Sequence, residues 1–313
     1  MEEYTAFVTV GIDGTYVFQT KEKGFFTKGG YKIEKVPATD TEALKSDLMG
    51  LFEKRRCKKF FTFVQGFEPG NPKTHEGVNV QKSTKEMLDK FELEPNTIDF
   101  IGHAVALYTD EQFMQMPAIR VIDKIKLYMD SMGRYGDSPF IYPIYGLGGI
   151  PEGFSRISAV NGGTFMLNTD INEILFDGGK VVGVKSNGEV AKCSMVICDP
   201  TYVLNAGLKD RVKLTERVLR CICILDHPIP NTNNMPSVQI IIPQKQLNRK
   251  NDIYIMMVSS VHSVCKKDYY IAIISTTIET ANPEAEIEIA FEMLGPVKEK
   301  FLKVPFPLTV DLR

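Results

Sequence analysis

The stretch "YPIYGLGGIPEGFSRISAVNGGTFML", residues 142–167, holds six glycines in 26 residues beside several aromatic and aliphatic side chains. Its reading decides the fold, because a glycine turn between a strand and a helix is how many proteins cradle a nucleotide's phosphates. A dinucleotide fingerprint needs G-x-G-x-x-G at that turn. Gly146 and Gly148 fill the first two positions, but the third falls on Pro151. The preceding "SPFIYPIY" is broken by prolines, which are poor occupants of a central strand. Phosphate binding here is disfavoured. What remains is a short helix opened by Pro151 and running through Val160, then a strand at Thr164–Leu167.

Downstream of this stretch the pattern is that of strands. Segments at Ile171–Phe176, Lys180–Lys185 and Glu189–Cys193 are separated by the hairpin signals "DGGK" and "SNGE". Four more apolar runs follow, "ERVLRCICILDH", "SVQIIIPQ", "DIYIMMVSSVHSV" and "YYIAIISTTIET", and "NPEAEIEIAFEMLGPVKEKFLKV" resumes as a helix. Upstream, from Ala38 to about Tyr135, the spacing is helical. Met49, Phe52, Phe60, Phe63, Val64 and Phe67 fall largely on one face, with Lys54, Arg55, Lys58 and Lys59 mostly outside it. Ser83 with Glu86 is a capping-box signature for a helix carrying Met87, Leu88 and Phe91. Asn96 can cap a helix aligning Ile98, Ile101, Val105 and Tyr108. Pro117 suits the first turn of a long helix aligning Ile122, Ile125, Met129 and Met132. The expected fold is mixed α/β, with residues 37–136 forming an all-helical domain. A sheet domain would then draw strands from residues 1–36 and 137–313.

Composition narrows the chemistry. A net charge of −2 over 313 residues lacks the basic excess of a general nucleic-acid binder. No run approaches 18 apolar residues, and the N-terminal "MEEYTAFVTVGIDG" lacks the basic and apolar regions of a signal peptide. The six cysteines form no C-x-x-C pair, which fits reduced thiols. No P-loop, G-x-S-x-G or H-E-x-x-H occurs, so neither a metal nor a cofactor is called for. The four histidines are scattered, and His103 reads as a core or capping residue rather than a general base.

Long strings in the chain resemble the Rab GDP dissociation inhibitors. They include "KVPATDTEALKSDLMGLFEKRR", "GRYGDSPFIYPIYGLG", "GGKVVGVKSNGEVAKCSMVICDP", "IIIPQKQLNRKNDIYIMMVSSVHSV" and "YYIAIISTTIET". The resemblance implies a flavoprotein-like sheet domain carrying an inserted helical domain, here incomplete at both ends. It implies a cytoplasmic protein with transient membrane association, no enzymatic activity and no cofactor. Its partners would be prenylated Rab GTPases in the GDP form and their geranylgeranyl lipid. By position in the family's motifs, Arg156, Thr164 and Met166 match residues of the platform that grips the GTPase. Gly149 stands where the family carries an acidic residue. Arg134, Ser138 and Phe140 fall in an adjacent stretch linked to function. An arginine can reach a partner's carboxylates, and a methionine adapts to an uneven apolar surface.

Phe52, Phe60, Phe63, Met87, Phe91, Ile101, Val105, Ile125 and Met129 are candidates to line a prenyl pocket among the helices. The same spacing is what a plain helical core requires. Two other readings stay open at this point: a flavin-dependent oxidoreductase, and a fragment whose sheet cannot close.

Overall fold

Three strands lead into the helices: β1 (Thr9–Gly11), β2 (Gly14–Lys21) and β3 (Gly30–Lys35). The computed structural model describes residues 9–21, 30–46, 48–132, 134, 138–205, 212–214, 216–304 and 308–310. α1 (Asp40–Lys45) starts at Thr39, whose side chain accepts from the Glu42 N–H, while the Glu42 carboxylate accepts from the Ala38 N–H. These reciprocal bonds satisfy donors that a helix start leaves free. α2 (Leu51–Gly66) buries Cys57, Phe60, Phe63 and Val64, and Phe67 beyond its end, at the spacing of one helical face. Lys126 Nζ caps that end by donating to the Phe67 carbonyl at 2.7 Å.

α3 (Thr84–Lys90) is capped by Ser83, which accepts from the Glu86 N–H. α4 (Pro95–Asp99) starts after Glu94, which makes no side-chain capping bond, rather than at Asn96, because Pro95 lacks an N–H and takes the first helical position. It widens into a π-turn at Phe100–Val105. There the ring of Phe113 lies against Gly102, where a Cβ would collide with it. α5 (Ala118–Ser131) follows Pro117.

β4 (Ile141–Pro143) pairs antiparallel with β1. After α6 (Gly149–Val160) come β5 (Glu173–Asp177), β6 (Lys180–Ser186) and β7 (Glu189–Lys192), an antiparallel sheet whose turns place Gly178, Gly179, Asn187 and Gly188 at positive φ. α7 (Pro200–Asn205) and β8 (Val212–Leu214) precede β9 (Val218–Leu225), β10 (Val238–Ile242), β11 (Ile253–Ser259) and β12 (Tyr270–Thr277). The last elements are α8 (Pro283–Glu286), α9 (Glu288–Leu294), β13 (Glu299–Lys303) and β14 (Leu308–Val310), which pairs with β8.

The main sheet has seven strands in the order β13-β9-β12-β11-β10-β2-β3. It is mixed: β2 runs parallel to β10, while β10/β11, β11/β12, β2/β3 and β9/β13 are antiparallel. Leu219, Cys221, Cys223 and Leu225 alternate into the interior along β9. The helices are thus inserted into a sheet whose strands come from both sides of them, the architecture expected from the sequence.

Further expectations are corrected. Thr164–Leu167 is not a strand, because the glycine-ended turn before it sends it out as exposed irregular chain. The terminal helix stops at Leu294, where Gly295 at φ +75 and Pro296 break it, and Glu299–Lys303 continues as an edge strand. The helical reading across 40–67 is also interrupted between Lys45 and Leu51.

The described residues form two compact units, one of 9–150 with 219–303 and the other of 151–218 with 304–310. In the larger unit, helical and sheet segments are joined by a partly buried network of charges. His103 Nδ1 lies 2.7 Å from Asp252 Oδ2 and its Nε2 lies 3.3 Å from Glu111 Oε1. Lys245 bridges Asp99 and Glu111, both at 2.9 Å, and the Tyr254 hydroxyl donates to Asp252. Burial alone would pull the imidazole down, but its bonds to Asp252 and Glu111 carry its pKa up to about 9. His103 is therefore the core histidine expected from its position. The cysteines are free, and burial pushes the thiols of Cys57 and Cys223 up to about 12, which leaves them unreactive.

Candidate functional site

The glycines of residues 142–167 shape turns. Gly146 takes φ +98 beside Tyr145, whose N–H donates to the His262 carbonyl at 2.8 Å, and the chain enters α6 at Gly149. At the far end, Gly162 adopts φ +85 and its N–H reaches the Ala159 carbonyl at 3.0 Å. The Gly163 N–H reaches back to the Ser158 carbonyl at 2.9 Å. These are the two bonds of a Schellman helix stop. A Cβ on Gly163 would stand 2.9 Å from that same carbonyl oxygen, so the tight return requires glycine.

The chain leaves this stop with its side chains outward. Thr164 and Phe165 are exposed, Met166 is 71% exposed and Leu167 is 85% exposed. On α6, Arg156 is exposed and, although Glu152 precedes it by four residues, it forms no ion pair among the described residues. Phe154 is exposed on the same helix. Gly149, the first residue of α6, is half-buried. Phe154, Phe165 and Leu167 were not singled out from the sequence, since a short apolar run reads more readily as strand interior than as surface.

Arg134 is exposed. Ser138 is buried and its hydroxyl accepts from the Phe140 N–H at 3.2 Å. The Phe140 carbonyl accepts from the Ile12 N–H, and its ring meets Tyr128 of α5 edge-on. A narrow crevice beside Ser138, lined by Asp13, Lys35, Tyr128 and Met132 among others, has room for little more than a water molecule. His262, whose ring meets Tyr142 edge-on, is fully buried with both ring nitrogens unpartnered, and burial pulls its pKa down.

Of the nine helical candidates, Phe60, Phe63, Met87, Phe91, Ile101, Val105 and Ile125 belong to one buried cluster, and Met129 packs against it half-buried. Phe91 is the hub, its ring 5.4 Å from Phe60 and 5.1 Å from Phe63. Phe52 stands apart from them, exposed to solvent. The side chains of the cluster are enclosed against one another, so a guest would have to part the helices that carry them.

The family model described as "GDP dissociation inhibitor" matches residues 1–308. The chain belongs to the GDP dissociation inhibitor family. The crystal structure of a Rab GDI from Plasmodium falciparum is 50% identical in sequence with a TM-score of 0.89, and the match covers 97% of this chain and 68% of that one. An oxidoreductase from Methanosarcina mazei matches at a TM-score of 0.64 and 15% identity, covering 98% of this chain and 72% of that one. A redesigned putrescine oxidase matches at 0.50 and 11%, covering 99% and 73%. Those two likenesses are of fold alone. They account for the flavoprotein-like sheet of this family member and leave the oxidoreductase reading as a distant fold relationship.

Proposed function

We propose that this chain works as a Rab GDP dissociation inhibitor. It binds prenylated Rab GTPases in the GDP form, slows GDP release, and carries them between membrane and cytosol. The observation behind this reading is an unpaired arginine and a run of exposed apolar side chains, held out by a rigid helix stop, in a member of this family. Arg156 would reach carboxylates or carbonyls of the GTPase, and Thr164, Met166 and the open backbone at Gly149 would complete the platform. Arg134, Ser138 and Phe140 would shape the neighbouring loop.

Selectivity needs no bond to be made or broken. GTPase switch segments are ordered by the γ-phosphate and loosen after its loss, so a surface fitted to the loosened form binds GDP-loaded protein by differential affinity. The second requirement is a home for the lipid, since each buried CH₂ is worth about 0.8 kcal/mol in the membrane. The helical block at 37–136 would supply it, with the cluster around Phe91 opening between helices to take the isoprenoid. Methionines at 87 and 129 suit such repacking. The protein would work in the cytosol and touch membranes transiently.

The test mixes the protein with liposomes bearing a prenylated, GDP-loaded Rab and assays the supernatant. Extraction should saturate at stoichiometric protein and should be weak for the GTP-loaded form. Arg156→Glu should reduce extraction by about tenfold or more with unchanged thermal stability. Equal extraction by the variant would remove Arg156 from the platform, and none by the intact chain would defeat the function.

A further inference from the structure

A second surface stands outside the platform and the helical cluster. The exposed side of α2 begins with Leu51 and Phe52, which are 71% and 74% exposed, and continues through Arg55, Lys58 and Lys59, all exposed. Lys54 Nζ donates to the carbonyl of Leu44 at 2.7 Å, tying the end of α1 to the first turn of α2. That bond brings in Leu44, 73% exposed, and the exposed Lys45. α2 carries five basic residues and one acid. The acid, Glu53, is buried against Arg56, which also meets Glu94. Among the described residues, Lys45, Arg55 and Lys58 have no ionic partner.

We infer that this face docks on an anionic lipid surface. Protruding apolar side chains ringed by long cationic ones suit the bilayer interface. Leucine and phenylalanine enter the boundary between headgroups and acyl chains, while lysine and arginine extend to the phosphates. An acidic protein would match the charge less specifically, because anchors at protein interfaces fill pockets, and these side chains stand open to solvent at the start of a helix. The opposite side of α2 holds Phe60 and Phe63 in the buried cluster. This inference goes beyond GTPase capture, since lipid contact requires no GTPase.

The experiment is co-sedimentation of the purified chain, without any GTPase, with phosphatidylcholine vesicles containing about one third phosphatidylserine. Binding should be stronger than to pure phosphatidylcholine and should fall steeply as salt rises from about 0.1 M to about 0.5 M. Arg55→Glu with Lys58→Glu should weaken it at least about 20-fold, and Leu51→Ser with Phe52→Ser about tenfold. All four side chains are exposed, so thermal unfolding should not move. Indifference to phosphatidylserine, or to both double variants, would overturn the proposal. So would retention on polyglutamate, with the same salt and variant sensitivity, by a protein that ignores vesicles. Capture of a prenylated, GDP-loaded Rab in membrane-free solution, measured in parallel, reports on the functional reading separately.

Discussion

The two units put the same kinds of side chain to opposite use. In the larger, Phe60, Val64, Ile101, Ile122 and Ile125 are fully enclosed. In the smaller, Val160, Phe165, Met166, Leu167, Met195 and Ile197 lie open to solvent, and Ile174 is its single buried large apolar residue among those described. Hydrophobicity therefore marks mostly interior in the larger unit, faces such as that of Leu44, Leu51 and Phe52 excepted, and mostly surface in the smaller, and contiguous exposed apolar area is what binding surfaces are made of.

The sharpest way to break this contrast is to attack the interior of the larger unit. Asp252→Ala takes from His103 the nearer of its two carboxylates, leaves the Gln244 N–H and the Tyr254 hydroxyl without their acceptor, and should cost about 3–5 kcal/mol in urea unfolding. A loss below about 1 kcal/mol would mean that the network holds little together. The same network gives a pH dependence. Because the folded-state pKa of His103 is raised to about 9 from 6.5, its stabilisation is fully present below pH 6.5 and disappears as pH rises through 9. Unfolding at pH 7 and pH 10 should differ by on the order of 2 kcal/mol, and His103→Gln should flatten that difference.

Smaller effects are expected in the other unit. Gly163→Ala should cost about 1 kcal/mol, through the clash with the Ser158 carbonyl, and should disturb the loop that follows. Leu167→Ala should change stability by less than about 0.5 kcal/mol. If it matched a core truncation in the larger unit, such as Phe60→Ala at about 3–5 kcal/mol, the contrast would collapse.

Local signals were legible in the sequence. Ser83 and Glu86 announced a helix start, "DGGK" and "SNGE" announced hairpins, and the apolar run "VLRCICIL" announced a strand. Each rests on residues within one turn of one another. Features set by distant partners were not legible. Nothing near His103 points to Asp252, 149 residues away. The π-turn depends on Phe113 lying against Gly102, which no periodicity encodes. "TFML" reads as a short apolar strand, yet the paired glycines before it decide its course. Phe52 shares helical spacing with Phe60 and Phe63, but lies in the first turn, beyond the reach of the cluster. Family likeness supplied the proposed platform residues, and their exposure could not have been read from spacing.

One pairing in the main sheet also bears on how the chain is made. Asp13, at the foot of β2, bonds with Ser237, at the foot of β10, across 224 residues of sequence. At about 5–20 residues per second, a ribosome delivers the first of these strands roughly ten to forty seconds before the second exists. The intervening helices, whose contacts are short-range, can gather in that interval. The leading hairpin meanwhile waits with one ladder of backbone groups unmet, and that is when a folding helper, or a stray strand, would find it.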